Sequence, residues 1–137
     1  MSDLIAYIDG ASQGNPGPAS YAVVFCRDGV VVKKAGAAIG EATNNVAEYF
    51  GLIFALLEAK KLGVSRLTVC SDSQLLVRQV NGEYKVKDPW LRRLHGIACS
   101  LRGLFAGVTL EHIPRERNKE ADRLAETFLK SESSGLF

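Results

Sequence analysis

The chain switches between two hydrophobic periods, a short-range one early and a helical one later, and the switches outline its elements. Leu4-Ile5-Ala6-Tyr7-Ile8 is a short apolar run that predicts a buried strand ending at Asp9. The stretch from Asp9 to Pro18 is crowded with turn formers and is expected to be a loop. Residues 21–26 and 30–33 are β-rich. Arg27-Asp28-Gly29 between them predicts a hairpin, because Asp-Gly tolerates the positive φ of a tight turn. Thr43 or Asn44 can cap a helix over 45–62, with Ala47, Phe50, Phe54 and Leu57 at helical spacing and Gly63 as its stop.

A strand over 67–70 and a helix over 74–81 come next, separated by Ser71-Asp72-Ser73. Pro89 suits the first turn of another helix carrying Trp90, Leu91, Leu94, Ile97, Ala98, Leu101 and Phe105. Residues 108–113 predict a fifth strand, which Pro114 ends, and Asn118 can cap a last helix through Leu129. The predicted order is β-β-β-α-β-α-α-β-α. One domain is expected over residues 1–130, with 131–137 a flexible tail that lacks periodicity.

Length and composition narrow the class. A chain of 137 residues fits one domain, and 47% hydrophobic residues are enough for a core. No apolar run approaches the ~20 residues that span a bilayer. The N-terminal residues carry no secretory pattern, so a cytoplasmic location is the expectation; a monomer is expected as well. Cys26, Cys70 and Cys99 are widely spaced, no CxxC occurs, and His95 and His112 are the only histidines. That pattern excludes a zinc site of closely spaced ligands and predicts free thiols. Net charge is only +2, but six basic residues (Arg78, Lys85, Lys87, Arg92, Arg93, Arg102) face two acidic ones (Glu83, Asp88) within residues 78–102. Either a solvated helix face or a nucleic-acid contact explains such a segment.

Four acids carry the candidate chemistry. Asp9 and Asp72 each follow an apolar strand. Parallel strands of an α/β sheet present their C-terminal ends together, so neighbouring strands would bring these carboxylates within a few Å. Like charges that close do not both ionise cheaply without a cation, and the pair implies a metal. Glu48 and Asp122 lie near helix starts. Taken singly, either could simply complement the helix dipole, worth about 0.3–1 kcal/mol. That account leaves unexplained why all four acids stand at element ends.

The surrounding residues complete a pattern. The segment from Asp9 to Gly17 (DGASQGNPG) resembles the opening signature of type 1 ribonuclease H. Thr43-Asn44-Asn45-Val46-Ala47-Glu48 is similar to that family's second motif, Ser71-Asp72-Ser73-Gln74 to its third, and Asn118-Lys119-Glu120-Ala121-Asp122 to its fourth. The resemblance implies an α/β, ribonuclease H-like fold: a five-stranded mixed sheet with helices on both faces. It implies an endoribonuclease that cuts the RNA strand of RNA–DNA hybrids, with Asp9, Glu48, Asp72 and Asp122 as the catalytic, metal-binding set. Oxygen-only ligands suit Mg²⁺, with Mn²⁺ as a substitute, and two ions about 4 Å apart clamp an in-line displacement at phosphorus. The resemblance assigns 2′-hydroxyl sensing to Ser12, Asn15, Asn44, Asn45 and Gln74, and a DNA-phosphate contact to Thr43 and Asn15. Turn-making and capping are compatible second roles for the asparagines. Duplex RNA is the alternative substrate, and a catalytically inactive hybrid-binding module the alternative without chemistry.

The chain departs from the family pattern twice. The segment from Val80 to Trp90 is too short for the basic, tryptophan-rich protrusion of many bacterial members, which leaves Lys85, Lys87, Arg92 and Arg93 as partial substitutes for DNA-strand contact. The loop at Pro114-Arg115-Glu116-Arg117 has no histidine where members often place a mobile one. Arg115 is the expected auxiliary, electrostatic only because guanidinium holds its proton near neutral pH. Strand alternation groups His112 with Val108 and Leu110, which predicts a fixed structural position for it.

Overall fold

The computed structural model describes residues 3–133. The Asp-Gly hairpin forms as predicted: Asp28 (φ 53°) and Gly29 (φ 79°) both take positive φ, and Arg27 pairs with Val30 across them. It joins β2 (Gly17–Arg27) to β3 (Val30–Ala42), and β2 returns antiparallel to β1 (Leu4–Ser12). The chain continues through α1 (Asn44–Lys61), β4 (Arg66–Ser71), α2 (Gln74–Val80), α3 (Pro89–Arg102), β5 (Gly107–His112), a 3₁₀ turn (Arg115–Arg117) and α4 (Lys119–Ser133). The sheet order is β3-β2-β1-β4-β5, with β1–β4 and β4–β5 parallel. The element order and the five-stranded mixed sheet match the expectation. Among the described residues, no helix is long and apolar enough to cross a membrane.

The early strands run longer than local composition indicated. The expected loop over 9–18 shrinks to residues 13–16, because Ser12 still pairs with Ala19 and the Gln13 N–H donates to the Pro18 carbonyl at 2.8 Å. A Cβ on Gly17 would stand 1.8 Å from the Gln13 carbonyl oxygen, so only glycine permits this return. The second half of β3 is rich in alanine and glycine, poor strand formers, yet it pairs with β2 along its length. Tertiary pairing overrides propensity there.

The two sheet faces are covered differently. Leu4, Ala6 and Ile8 of β1, with Val23, Phe25, Leu67 and Val69, pack against Leu52 and Leu56 of α1 and against Leu91, Leu94 and Ala98 of α3. α4 covers the other face through a small cluster of Ala11, Ala22, Ala125 and Leu129. The buried Ser20 hydroxyl donates to the Ala125 carbonyl at 2.6 Å, fixing α4 onto β2. Several predicted core positions shift. Phe50 and Phe54 are half-buried, with Phe54 stacked on Tyr21 at 4.8 Å, and Leu57 is exposed, because α1 wedges between sheet and α3 and buries Leu52, Ile53, Leu56 and Ala59 instead. Trp90 and Ile97 flank the Leu91-Leu94-Ala98 stripe of α3 and stand about half exposed, at 49% and 48%. The last helix extends to Ser133 rather than stopping at Leu129, and the rest of the expected tail, 134–137, lies outside the described residues.

Gly10 sets how near α1 comes to β1. A Cβ there would stand 2.5 Å from both the Ala47 carbonyl carbon and the Glu48 nitrogen, which are backbone atoms that cannot swing aside. Gly10→Ala is therefore expected to push the helix start off the strand and to cost about 1–3 kcal/mol, the range for overpacking. A urea unfolding midpoint equal to that of the parent would show that strand and helix separate freely.

Candidate active site

β1 and β4 run in parallel with Ile8 opposite Ser71, so the residues that follow, Asp9 and Asp72, emerge at one level. There the strands part. β4 ends, whereas β1 continues against β2 with Asp9 opposite Ala22. The strand ending predicted at Asp9 is thus only the end of its pairing with β4. Thr43 caps α1 by accepting the Val46 N–H at 3.2 Å, and the close approach at Gly10 lets the Gly10 N–H donate to the Glu48 carboxylate. α4 reaches the cleft with Asp122 in its first turn.

The structure brings the predicted acids together. Asp9, Glu48 and Asp72 each offer an oxygen within 4.8 Å of the others, and side-chain hydrogen bonds link Asp9 to Glu48 and to Asp122. Ser12, Asn44, Arg115 and Glu126 complete the lining of a cavity of about 140 Å³. Asp9 and Glu48 are buried, at 6% and 5% exposure. Burial, then the charges of Glu48 and Asp72, push the Asp9 pKa far above the ordinary carboxylate range. Burial and the Asp72 charge raise Glu48 likewise, against the lowering effect of the Gly10 N–H, Asp9 and Arg115. The ion pairs among the described residues join Lys33 and Lys61 to Glu58, Lys34 to Glu120 and Arg78 to Glu83, none of them in this cleft. A dense, oxygen-only donor set without a salt-bridge partner fits a hard divalent cation.

Comparison with known proteins decides the family. A family model described as reverse transcriptase-like matches residues 7–128. A ribonuclease H of Neorickettsia sennetsu is 32% identical, the match covering 91% of each chain. The ribonuclease HI of Halobacterium salinarum is 45% identical over 88% of this chain and 61% of its own length. A crystal structure of a type 1 ribonuclease H from that organism superposes with a TM-score of 0.92 at 42% identity, covering 95% of this chain and 99% of the other. The chain belongs to the type 1 ribonuclease H family. It also matches a bifunctional protein of Mycobacterium tuberculosis at 50% identity over 89% of its length, spanning only 34%, about a third, of that relative.

Around this ribonuclease H centre the other predicted residues divide into groups. Ser12, Asn15 and Asn44 line an open cavity of about 370 Å³ beside the acids. The Ser12 hydroxyl hydrogen-bonds to the Ala42 carbonyl at 3.0 Å and to that of Gly14, and Asn15 Oδ1 accepts the Asn44 N–H at 3.0 Å. Asn45 lines a narrow groove with Glu48 and Ser73, and Gln74 is exposed at the first position of α2. Lys85 and Arg92 share a cavity of about 260 Å³ with Tyr84 and His95, whereas Lys87 and Arg93 are exposed outside it.

Four features of the cleft and its surroundings escaped sequence reasoning. Arg102, counted with the basic segment, instead donates to the carbonyls of Val80 and Val108 at 3.3 and 2.9 Å. Glu126 joins the acidic cavity one turn beyond Asp122, a spacing that the sequence displays but that many solvated helices share. Asn118 does more than cap a helix, as argued below. His112 is exposed rather than fixed in the core: on edge strand β5 its neighbour Ile113 turns inward, with the Ile113 N–H on the Ser71 carbonyl at 2.9 Å.

Raised carboxylate pKa values make metal-free stability depend on pH. Asp9 and Glu48 bind protons more tightly folded than unfolded, so their contribution is fully present below the unfolded value of about 4 and is lost as pH rises through the raised folded values. In chelator, melting temperature should fall between about pH 5.5 and pH 8.5, and saturating Mg²⁺ should raise it more at the higher pH, where the carboxylates are free of protons. An equal Mg²⁺ increment at both would contradict this assignment.

Proposed function

We propose that this ribonuclease H domain, a unit of residues 1–130 acting as a monomer, hydrolyses the RNA strand of RNA–DNA hybrids by a two-metal-ion mechanism. The observation that carries the reading is the Asp9–Glu48–Asp72 cluster, three carboxylate oxygens within 4.8 Å beside a polar loop surface. A compost-derived type 1 ribonuclease H that was solved in complex with an RNA/DNA hybrid supports it, superposing with a TM-score of 0.90 at 38% identity over 94% of this chain and 98% of that one. Asp9, Glu48, Asp72 and Asp122 would hold Mg²⁺, or Mn²⁺ in its place. When bound, the two ions supply a nucleophilic water at neutral pH and stabilise the leaving oxygen.

The chain's own groups orient and select the substrate. With its hydroxyl proton on a backbone carbonyl, Ser12 retains lone pairs that accept a 2′-hydroxyl. Asn15 spends its carbonyl oxygen on Asn44 and keeps two N–H donors for a phosphate oxygen. Thr43 accepts the Val46 N–H and keeps its hydroxyl proton for the same purpose. Asn44, Asn45 and Gln74 offer donors and acceptors together for the RNA minor groove. Arg115, on the rim of the acidic cavity, assists electrostatically where other members place a histidine. Lys85, Lys87, Arg92 and Arg93 contact the DNA strand in place of the missing protrusion.

Labelled RNA–DNA hybrid, duplex RNA and duplex DNA, each with and without Mg²⁺, test the reading. Cleavage confined to the RNA of the hybrid, and only with metal, is expected. Asp72→Asn keeps the side-chain shape and should lose about 100–1,000-fold in turnover without unfolding, the scale seen when a group essential to transition-state stabilisation is removed. Near-parental turnover would remove Asp72 from the metal set. Hybrid affinity should fall steeply with salt through counterion release. Neutralising Lys85, Lys87, Arg92 and Arg93 together should flatten that slope, and an unchanged slope would return them to an ordinary solvated surface.

A further inference from the structure

Asn118 stands between the 3₁₀ turn and α4 and is only 1% exposed. Its backbone serves the helix, the carbonyl accepting the Asp122 N–H at 3.1 Å. Its side chain points away from the helix start. Nδ2 donates to the Ile8 carbonyl at 2.8 Å and to Asp72 Oδ2 at 2.9 Å. One residue is thereby bonded to the strand position just before Asp9, to the Asp72 carboxylate and to the backbone of Asp122. We propose that Asn118 is a positioning residue that fixes the Asp72 carboxylate, and with it the spacing of the acids on β1, β4 and α4, in the arrangement that accepts divalent metal. The inference rests on the metal-dependent reading above.

The residue type follows from what the position demands. Two acceptors must be satisfied from one point, so two protons are needed. Serine or threonine has one hydroxyl proton. Lysine or arginine has enough protons but would place a fixed cation beside the acids and compete with the metal for them. The asparagine amide has two protons and no charge. By holding Asp72 Oδ2 it restricts rotation of the carboxylate while leaving its negative charge in place. The arrangement has a cost: Asn118 Oδ1 is buried and has no hydrogen-bond partner among the described residues. An apolar residue filling the same space would avoid that cost, but it would leave Asp72 and the Ile8 carbonyl without their donor.

Groups that orient metal ligands typically change metal affinity or activity by about 10–100-fold when removed. Mg²⁺ binding to Asn118→Ala, measured by titration calorimetry without substrate, is expected to weaken by that factor. Turnover of the hybrid should fall similarly at fixed Mg²⁺, with KM for the hybrid within about threefold of the parent. A purely structural role would lower the melting temperature but leave the Mg²⁺ affinity of the folded protein unchanged, and that result would overturn the proposal. Should the alanine variant fail to fold, the unsubstituted protein gives the answer by NMR. The two Nδ2 protons of Asn118 should exchange slowly with solvent and shift along the Mg²⁺ titration, at the calorimetric midpoint. Side-chain amide signals indifferent to Mg²⁺ would also overturn it. Because Mg²⁺ affinity is read without nucleic acid, a protein that binds the ion but cleaves no hybrid would sink the functional reading and leave the Asn118 result standing.

Discussion

Mutual repulsion among closely held carboxylates is the constraint on which the rest of this structure turns. Asp9, Glu48 and Asp72 approach within 4.8 Å, two of them buried, and Asp122 is hydrogen-bonded to the first. No local preference brings such groups together. They arrive on β1, α1, β4 and α4, and each element is fixed by contacts made elsewhere. β1 is the middle strand of the sheet, with Leu4, Ala6 and Ile8 in the main core and Ala11 in the smaller one, and β4 lies parallel beside it with the register that levels Asp9 with Asp72. α1 is admitted by the missing side chain of Gly10, and α4 is drawn down by the alanines beneath it and by the Ser20 hydroxyl. The apolar core thus acts at a distance, holding charges that would separate if the elements were free to move.

The uncharged groups around the acids follow from the same constraint. The Gly10 N–H on Glu48 and the Asn118 amide on Asp72 stabilise carboxylate charge through dipoles, without adding charge of their own. Of the basic residues, Arg115 lines the cavity, from an exposed 3₁₀ turn rather than from a rigid strand or helix. A cation at the rim lowers Glu48 without standing among the carboxylates. A site built in this way keeps its charge for something that enters from solution.

The amount of this that was legible in the sequence depended on the range of the interaction concerned. The Asp28-Gly29 turn, the Thr43 cap and the apolar runs of β1 and β4 are set by neighbours in sequence, and each appears where pattern and propensity put it. The four acids were legible because motif spacing ties each to the end of an element. Strand length was not. Ser12 and Gly17 look like turn residues, and only their partners across the hairpin make them strand. The role of Asn118 was hidden for a related reason: its helix-start position explains an asparagine completely, so nothing in the sequence asks for more. The bonds of Arg102 were hidden because a formal charge count does not distinguish a guanidinium in solvent from one bonded to two carbonyls.

Double use of small polar residues is the economy that a domain without a protrusion depends on. Ser12, Asn15 and Thr43 each satisfy a backbone group through one atom, and each has another donor or acceptor left over. Because the structural bond fixes the side chain's rotamer, the remaining group is already oriented before a ligand arrives, and less conformational entropy is lost on binding. Long flexible lysines and arginines, such as those at 85, 87, 92 and 93, gain affinity through charge but give up more freedom to do so. On the proposed reading, selectivity for a 2′-hydroxyl would rest with the asparagines and serine beside the acids, and affinity for a phosphate backbone would be shared between Asn15 and Thr43 there and the exposed cations farther away. The two contributions would be separable because Ser12 and Asn44 stand on β1 and α1, whereas Arg92 and Arg93 stand on α3.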